Sequence, residues 1–338
     1  PREVHVVVCL LNAQVPCLTS ASADMSYNET GSQLPHHDVG NMFLQIFLII
    51  ELIVGLPGIL VALWIFCLRM KKWKSHEIFL FNLVLADFLL LMSVPFRLDT
   101  HSRNDNWRFG STWCRINLYM LSVNRSASIA FMTVVAAHRY FKVLRPHHPI
   151  SRLTRTQAVA LTGLAWTVAV AFRIPLLTVD LLQKSGNISL CRSFHSYEVI
   201  PAPILGYYVS YTAEFFLPWF FLIFSSVSIS CHLRRRRLDR QARVQRAIRA
   251  LIVISTVFTL CFMPSVVTGL AAWYIKNAYP EDFSMYNLWT HLFMISISFT
   301  YLNSALDPLI YFYSSSTYRD TLKNSFVKRR RIRAAGKS

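Results

Sequence analysis

Seven apolar segments, each long enough to cross a lipid bilayer, dominate this sequence. A membrane-spanning helix needs about 20 mostly apolar residues. The segments that satisfy this length run over roughly residues 42–68, 77–98, 113–140, 157–182, 203–231, 247–274 and 289–313. Their apolar residues are continuous, whereas the strands of a membrane β-barrel alternate between apolar and polar residues. Because only helices and closed barrels satisfy every backbone hydrogen bond in lipid, we predict an all-α protein built as a bundle of seven transmembrane helices.

The basic residues are concentrated in alternate connecting segments. The chain has 35 Lys and Arg against 17 Asp and Glu, a net charge of +18. The basic clusters follow the first, third and fifth apolar segments and fill the C-terminal tail, at residues 69–74, 142–155, 234–246 and 328–333. Because Lys and Arg favour the cytoplasmic side, we predict a multi-pass membrane protein with its N-terminus outside and its C-terminus inside. The charge then reflects topology and anionic membrane lipids, and no nucleic acid is expected as a partner.

Three regions are expected along the chain. They are an extracellular N-terminal segment, the seven-helix domain, and a short cytoplasmic amphipathic helix with a basic tail, at residues 1–41, 42–313 and 314–338. Residues 1–24 are either signal-like or not native to the protein, because their short apolar run follows no initiator Met. Asn28 and Asn187 lie in Asn-X-Ser/Thr sequons on the predicted outer side and are expected to be glycosylated.

Short motifs of unusual residues occur in successive helices, in a fixed order. They are Leu85-Ala86-Asp87, His138-Arg139-Tyr140, Trp166, Pro218, Cys261-Phe262-Met263-Pro264 and Asn303-Ser304-Ala305-Leu306-Asp307-Pro308-Leu309-Ile310-Tyr311. With these motifs the chain resembles the rhodopsin-like (class A) G-protein-coupled receptors from about residue 42 to 328. The resemblance implies a receptor that acts on a heterotrimeric G protein, and not an enzyme. It also implies a disulfide between Cys114 and Cys191, which both face the oxidising outer side.

The resemblance also implies a switch in the inner half of the bundle. Arg139, followed by Tyr140, matches the arginine with which the family engages the G protein. The family usually has an acidic residue before this arginine, but here His138 takes that place and cannot form the same charge pair. We therefore predict a weaker inactive-state lock and raised basal signalling. The other switch residues implied by the family are Phe262, Pro264, Asp307, Pro308 and Tyr311.

A group of polar residues inside the predicted helices matches the sodium site of the family. The group comprises Asp87, Asn124, Ser128, Asn303 and Ser304, together with Asp307. A buried carboxylate needs a cation or hydrogen-bond donors, and hydroxyl and amide oxygens are suitable cation ligands. The alternative is a hydrogen-bonded polar core that holds no ion. Ile59 stands where the family has an Asn, which removes one amide from the group. No cofactor other than this sodium ion is expected.

Arg125, in the outer half of the third apolar segment, is the residue that most restricts the ligand. The Asp that would bind an amine ligand is missing one turn before it. A guanidinium in a low-dielectric pocket favours a carboxylate or phosphate, and its planar fork matches a carboxylate in a two-point contact. We therefore expect an anionic ligand. The alternative is an internal ion pair with Glu214 or Asp87, because a buried arginine is costly unless it is paired.

Several local runs resemble the hydroxycarboxylic acid and oxoeicosanoid receptors. Among them are MLSVNRSAS (120–128), EFFLP (214–218) and SFTYLNS (298–304). In the hydroxycarboxylic acid receptors an arginine of the third helix, a loop serine and a tyrosine of the seventh helix hold the carboxylate. The matching residues of this chain are Arg125, Ser193 and Tyr301.

The choice between these two receptor groups depends on positions where they differ. Gly269 and the missing Asp before Arg139 resemble the oxoeicosanoid receptor, and a small residue at 269 leaves room for a lipid tail. Further expected ligand contacts are Leu121, Phe293, Met294 and Arg192. We therefore favour an oxidised fatty acid as the ligand and Gi as the G protein. The alternatives are a receptor for small, lactate- or nicotinate-like hydroxycarboxylic acids and a decoy receptor that does not signal.

Other functional classes fit the sequence less well. A transporter would show internal repeats with paired interrupted helices. An enzyme would need a nucleophile beside a base and a group that orients the base. Neither pattern is found in the sequence.

Overall fold

The computed structural model describes residues 36–70, 73–103, 105–185, 188–191, 202–236, 242–279 and 281–335. The predictions for residues 1–24, Asn28, Asn187, Arg192 and Ser193 lie outside the described residues. The chain from residue 36 onward forms one compact unit.

The first long helix, α1, is continuous but changes its winding. It consists of an α-helical, a π-helical, a second α-helical and a second π-helical part, at His36–Ile50, Glu51–Gly55, Leu56–Trp64 and Ile65–Arg69. Two glycines allow close approach along it. A Cβ atom at Gly55 would lie 2.4 Å from Oε1 of Glu51, and one at Gly58 would lie 2.8 Å from Cγ of Pro308. The missing side chains therefore make room for a buried carboxyl group within α1 and for the seventh helix beside it.

Seven more helices follow in the described part of the chain. They are α2 Ser75–Ser102, α3 Gly110–Leu144, α4 Arg155–Ala171, α5 Ala202–Arg236, α6 Ala242–Ala278, α7 Phe283–Ser314 and α8 Ser316–Ala335. A 3₁₀ turn, Pro149–Arg152, connects α3 to α4, and a single helical turn, Pro175–Thr178, follows α4. Thr154 and Gln157 form a capping box that begins α4.

Among the described residues, six helices, α1 to α6, are long and apolar enough to cross a membrane. α7 is also long enough, because its 32 residues extend for about 48 Å. Three of its polar residues, Asn303, Ser304 and Asp307, are buried in the bundle. Hydropathy therefore identifies six of the seven predicted spans, while the seventh carries a polar face turned away from lipid.

The helices differ in how much of their surface the bundle covers. In the most apolar part of each helix, 67% of residues are buried in α2 and α3 and 56% in α6, against 28% in α1 and 22% in α4 and α5. The outer helices expose large apolar side chains, such as Ile53, Leu164 and Leu217. Such broad apolar faces are suited to contact with lipid. α2, α3 and α6 therefore form the centre of the bundle.

A β-hairpin closes one end of the bundle. Strands β1 (Leu182–Ser185) and β2 (Ile188–Cys191) are antiparallel, with Leu182 opposite Cys191. Cys191 forms a disulfide with Cys114 near the start of α3, so the predicted pairing is confirmed. We call this the disulfide end of the bundle. Arg139, near the other end of α3, marks what we call the Arg139 end.

The helix α8 begins after a break at Ser315 and packs beside the last part of α1. Tyr318 anchors it, with its ring centroid 5.9 Å from those of both Phe66 and Tyr311. Burial in this aromatic contact raises the pKa of Tyr318 to about 12. The short helix expected after the seventh span is therefore present.

Candidate functional site

Arg125 lies near the middle of α3, with its side chain 8% exposed. Its guanidinium carbon is 3.6 Å from the ring centroid of Tyr211 and 5.6 Å from that of Phe262, so its charge lies over two aromatic rings. Nη1 and Nη2 are each 3.5 Å from the Tyr211 carbonyl oxygen, longer than a typical hydrogen bond. Among the described residues, Nε has no hydrogen-bond partner. Arg125 is thus buried without a strong hydrogen bond.

Glu214 of α5 is an acidic neighbour of Arg125, but its short contacts are to other residues. Its Oε2 atom lies 3.8 Å from Nη1 of Arg125, beyond hydrogen-bonding distance. The same oxygen accepts hydrogen bonds from Oγ of Ser126 at 2.9 Å and from Nη2 of Arg173. The internal pair with Glu214 that the sequence allowed is therefore only a loose contact. Asp87, the other possible partner, accepts a hydrogen bond from Tyr311 instead.

Arg173 is a second buried arginine of this site, and the sequence analysis did not identify it. It lies between α4 and the turn Pro175–Thr178, and its side chain is 1% exposed. Nε and Nη2 donate to Oγ of Ser126 at 2.9 and 2.7 Å, and Nη1 donates to Oγ of Ser210 at 3.1 Å. The sequence feature that could have identified Arg173 is its position as an ionisable residue within the fourth apolar segment, where a charge is costly and usually functional.

One face of α5 supplies most partners of the two arginines. Residues spaced three or four apart project from the same side of a helix, and those on this face are Tyr207, Ser210, Tyr211 and Glu214. The ring of Tyr207 lies 5.1 Å from the guanidinium carbon of Arg173. The hydroxyl of Tyr211 donates to Oγ of Ser265 on α6 at 3.1 Å, which fixes this ring against Arg125.

The cluster of Arg125, Arg173 and Glu214 has an unbalanced charge. Two guanidiniums and one carboxylate leave one net positive charge in largely buried surroundings. A buried charge without a counterion is costly, so the cluster favours an anion. Because Arg173 already donates from Nε, Nη1 and Nη2, Arg125 is the arginine with donors available for that anion.

The other predicted ligand contacts form two separate groups in the described part of the chain. Tyr301 is buried in an apolar cluster at α1, α2 and α7, and Leu121 packs against that cluster. Phe293 of α7 lies against Gly269 of α6, and a Cβ atom at Gly269 would come within 3.0 Å of its ring. Met294, next to Phe293, is partly exposed. The space expected beside Gly269 is therefore occupied by the ring of Phe293.

Polar contacts tie the hairpin to the bundle at the disulfide end. Nη1 of Arg97 on α2 donates to the carbonyl oxygen of Cys191 at 3.1 Å. Oγ of Ser111 on α3 donates to Oδ1 of Asp180 at 2.6 Å, and this hydrogen bond holds the pKa of the Asp180 carboxyl below its usual range. Together with the disulfide, these contacts fix the hairpin over the ends of α2 and α3.

The predicted polar group lies in the bundle interior and is centred on two carboxyl groups. The hydroxyl of Tyr311 donates to Oδ2 of Asp87 at 2.5 Å, and Nδ2 of Asn303 donates to Oδ2 of Asp307 at 3.3 Å. Asp87 and Asp307 also interact directly with each other. Asn124, which was grouped with them, donates instead to the Ala86 carbonyl oxygen at 2.7 Å. The structure thus joins the motifs of α2 and α7.

Unpartnered oxygens in this polar group are compatible with a small cation. Among the described residues, Oδ1 of Asp307, Oδ1 of Asn303 and Oγ of Ser128 have no hydrogen-bond partner although all three residues are buried. Glu51 of α1, a third fully buried carboxyl, interacts electrostatically with Asp87 and was missed in the sequence analysis. In the sequence, Glu51 could have been recognised as a single acidic residue within an apolar segment. Adjacent buried carboxylates need a proton or a cation between them. Among the described residues no group of three or more His, Cys, Asp or Glu side chains is placed to hold a metal ion, so a cation here would depend on amide and hydroxyl oxygens as well.

A column of aromatic rings connects Arg125 to α5 and α6. Phe262, under Arg125, meets Phe258 with ring centroids 5.2 Å apart, and Phe258 stacks on Phe215 at 5.6 Å. Pro264 lies inside α6, two residues after Phe262, and removes a backbone hydrogen bond there. Arg125 therefore contacts α6 two residues before its proline.

Several predicted switch residues make contacts at the Arg139 end. The ring of Tyr140 lies 6.2 Å from that of Phe221 and 6.0 Å from that of Phe224, both on α5. Tyr311 meets Phe66 of α1 at 6.2 Å. Pro308 packs against α1 at Gly58. These contacts place the switch residues of α3 and α7 against α5 and α1.

Arg139 itself lies among charges from two other helices. Glu77 of α2 attracts its guanidinium, and Arg246 of α6 repels it. Glu77 is fully buried. Nε of Arg139 has no hydrogen-bond partner in the described part of the chain. The acidic residue that attracts Arg139 therefore lies on α2, and not at the preceding position of α3.

Comparisons with known proteins agree with this architecture. The family model "7 transmembrane receptor (rhodopsin family)" matches residues 58–311. The chain is 39% identical to hydroxycarboxylic acid receptor 2 of Homo sapiens over 288 residues, which are 83% of this chain and 77% of that protein. It is 39% identical to oxoeicosanoid receptor 1 of Homo sapiens over 279 residues, 82% and 70% of the two chains. It is 31% identical to the 12-(S)-hydroxy-5,8,10,14-eicosatetraenoic acid receptor of Mus musculus over 284 residues, 82% and 88%.

The family model includes the motifs of the polar group and of the Arg139 end. The matches to the three relatives extend over most of each relative. The family consists of multi-pass membrane receptors that act on G proteins, and not of enzymes. The two human relatives are equally similar to the chain, so identity alone does not choose between their ligands. The chain belongs to the rhodopsin family of seven-transmembrane receptors, in the group of the hydroxycarboxylic acid and oxoeicosanoid receptors.

Proposed function

We propose that this receptor binds an oxidised fatty acid through its carboxylate and activates a Gi protein. In this proposal the receptor lies in the plasma membrane with its N-terminus and disulfide end outside, and the Arg139 end contacts the G protein. The proposal rests on one observation. Arg125 is buried and positively charged, and it lacks a strong hydrogen bond, because Glu214 is bound by Arg173 and Ser126.

The carboxylate part of the proposal follows from the chemistry of Arg125. A carboxylate can accept two hydrogen bonds from one guanidinium, and such charge-assisted bonds are stronger than neutral ones. The incoming anion also balances the net positive charge of the cluster. Tyr301 and Ser193 are the further carboxylate contacts that the family resemblance proposes.

The fatty-acid part of the proposal is supported by the apolar surroundings. Leu121 and Tyr301 belong to one apolar cluster, and Phe293 and Gly269 form another contact between α6 and α7. Rotation of the Phe293 ring away from Gly269 would open an apolar slot for a long tail. Two of the relatives are named for eicosanoid ligands, which have such tails.

A small hydroxycarboxylic acid is the second candidate ligand. It would make the same contact with Arg125 but would leave the Phe293 ring in place against Gly269. The similarity to hydroxycarboxylic acid receptor 2 favours this candidate as much as that to oxoeicosanoid receptor 1 favours the first. The two candidates differ in the length of the tail, and a panel of acids separates them.

The proposed signal passes through the aromatic column below Arg125. When a carboxylate draws the guanidinium away from Phe262, the contact that holds this ring is weakened. Phe262 then shifts against Phe258, and α6 bends at Pro264. An outward movement of α6 takes Arg246 away from Arg139 and exposes the surface that the G protein contacts.

We also propose that the polar group of Asp87 and Asp307 holds a sodium ion in the inactive state. The ion would be bound by carboxylate, amide and hydroxyl oxygens of Asp87, Asn303, Ser128 and Asp307 and would balance their charge. The test is the thermal unfolding temperature of the purified receptor in NaCl against choline chloride of equal ionic strength. We expect a higher temperature in sodium, and no such difference in the Asp87→Asn variant. Equal temperatures in both salts for the unmodified receptor would exclude the ion.

The ligand proposal is tested by nucleotide exchange on Gi in membranes that contain the receptor. The panel is 5-oxo-eicosatetraenoic acid, 12-(S)-hydroxy-5,8,10,14-eicosatetraenoic acid, lactate and nicotinate. Arg125→Gln should reduce the potency of the active acid at least about 30-fold, because breaking a buried charge pair costs about 2 kcal/mol or more. Arg115→Gln is the matched control, since it removes a positive charge from the same helix about three turns away.

Each result of the panel has a clear meaning. Activation by the long acids supports the proposed ligand, and activation by lactate or nicotinate alone supports the second candidate. Binding of an acid without nucleotide exchange would identify a decoy receptor. A response that Arg125→Gln leaves unchanged, or the absence of any response in the unmodified receptor, would contradict the proposal of a carboxylate ligand.

A further inference from the structure

Arg173 and Arg125 compete for one carboxylate, and Arg173 holds it. Both guanidiniums approach Oε2 of Glu214, but only Arg173 and Ser126 are hydrogen-bonded to it. The contact from Nη1 of Arg125 is 3.8 Å long. We propose that Arg173 is a positioning residue that holds Glu214 away from Arg125, so that Arg125 stays available for the carboxylate of a ligand. This inference rests on the proposed function in assigning Arg125 to the ligand.

The hydrogen bonds of Arg173 explain why Glu214 is bound by Arg173 and not by Arg125. Nε and Nη2 of Arg173 both donate hydrogen bonds to Oγ of Ser126, and Nη1 donates one to Oγ of Ser210 on α5. The hydroxyl proton of Ser126 is in turn directed to Oε2 of Glu214. The arginine thus binds Glu214 directly and also orients the serine that binds it. These contacts connect the end of α4 to α3 and α5 and define one position for the carboxylate.

Arg125 has no comparable set of contacts. It immediately precedes Ser126 in α3, so the two side chains leave the helix about 100° apart. Its guanidinium is held mainly by the face of the Tyr211 ring, which does not use its N–H donors. If Arg173 were absent, Glu214 would have one guanidinium left within 4 Å, that of Arg125. A short movement would then convert the loose contact into a closed ion pair.

Direct contact between Arg173 and the ligand is the competing explanation. It is disfavoured by burial, because the side chain of Arg173 is 1% exposed while that of Glu214 is 22% exposed. It is also disfavoured by the donors of Arg173, since its Nε, Nη1 and Nη2 atoms all donate within the protein. A ligand oxygen could reach Arg173 only by displacing one of these partners.

The test is a double-mutant cycle on Arg173 and Glu214, read as the concentration of acid that gives half-maximal nucleotide exchange. 5-Oxo-eicosatetraenoic acid is titrated, with lactate and nicotinate in parallel. Arg173→Met removes the charge but keeps a long, flexible side chain. We expect it to reduce potency at least about tenfold, because Glu214 then pairs with Arg125. The double variant Arg173→Met with Glu214→Gln should recover potency, since no internal carboxylate remains to compete.

One further single variant completes the cycle, and a second tests the planar fork of Arg173. Glu214→Gln alone should raise potency about threefold, because it removes the competing carboxylate and increases the net positive charge. Arg173→Lys keeps the charge without the planar fork of the guanidinium. The potency of the acid on this variant should lie between those on the unmodified receptor and on Arg173→Met. The amount of receptor at the cell surface is measured for every variant. If Arg173→Met does not reach the surface, Glu214→Gln and Arg173→Lys still decide the question.

The outcomes separate this inference from the proposed function. Recovery in the double variant supports the positioning role, because a purely structural loss would not be repaired by a second change. A double variant as impaired as Arg173→Met, or an unaffected Arg173→Met, would overturn it. So would a loss of potency in Glu214→Gln as large as that in Arg125→Gln. A failure of the proposed function is recognised separately, because the unmodified receptor would then respond to none of the acids, or Arg125→Gln would leave its response unchanged.

Discussion

The imidazole rings of His76 and His138 stack on each other, with their centroids 5.8 Å apart and 17° between their planes. His76 is at the start of α2 and His138 is near the end of α3, and both are buried. Two protonated imidazoles would repel at this distance, so the stack favours neutral rings. His138 therefore connects α3 to α2 but offers no negative charge to Arg139.

The change His138→Asp should lower basal nucleotide exchange by the receptor without ligand. A carboxylate beside Arg139 adds a charge-assisted interaction that is present only while Arg139 is held in the inactive bundle. An interaction of about 1.4 kcal/mol would lower the active population about tenfold. His138→Asn is the control, because it removes the imidazole without adding charge. Basal exchange that is equal in the Asp and Asn variants would show that the missing acid does not set basal activity.

The change Glu77→Gln should raise basal exchange. Glu77 attracts Arg139, and its Oε2 also accepts a hydrogen bond from the backbone N–H of Lys74 at the start of α2. A glutamine keeps an oxygen for this cap and removes only the charge. We expect an increase of about two- to tenfold. Ser315→Ala is the control, since it removes the 3.5 Å contact to Glu77 and the hydrogen bond from the Tyr318 backbone N–H but leaves the charge of Glu77 in place. An increase of the same size in both variants would point to loosened packing instead of lost charge.

The architecture was largely predictable because lipid imposes strong rules on a sequence. Continuous apolar runs predicted the helices, and most described helices extend beyond the predicted bounds at one or both ends, as for α2, which runs over Ser75–Ser102. The prediction was wrong for the end of α4, which stops at Ala171, while the predicted segment continued to residue 182. α7 was also predicted from its apolar run, although only α1 to α6 qualify as candidate spans by length and composition among the described residues. The disulfide between Cys114 and Cys191 followed from the family resemblance and is present.

The site was only partly predictable because contacts between helices are not written in local sequence. Arg125 was recognisable as a costly charge in an apolar segment. Arg173 carries the same signal but was overlooked, and no spacing rule indicates that Arg173 takes Glu214 from Arg125. The position of the Phe293 ring against Gly269 likewise depends on how α6 and α7 pack. Such pairings become visible only when the helices are assembled.

The change Tyr311→Phe should destabilise the receptor by about 1–3 kcal/mol. It removes the hydroxyl that donates to Oδ2 of Asp87 at 2.5 Å in the buried polar group, and so leaves an acceptor without its partner. Thermal unfolding of the purified receptor measures the loss. Tyr313→Phe is a suitable control, because Tyr313 is on the same helix but partly exposed. Equal unfolding temperatures for the two variants would mean that this hydrogen bond contributes nothing to stability.

The change Gly269→Ala should select against long acids. Its new Cβ atom would lie 3.0 Å from Cε2 and 3.2 Å from Cδ2 of Phe293, so the methyl group takes up part of the space beside residue 269 that is proposed for the lipid tail. One misplaced methyl group in an apolar pocket costs about 1–3 kcal/mol, which corresponds to a loss of about tenfold or more in potency for 5-oxo-eicosatetraenoic acid. Any response to lactate should be nearly unchanged, because a short acid does not reach the ring. Adding Phe293→Leu should restore the response to the long acid, because the smaller side chain gives the new methyl group room. Equal losses for short and long acids, or no recovery in the double variant, would place the tail elsewhere in the bundle.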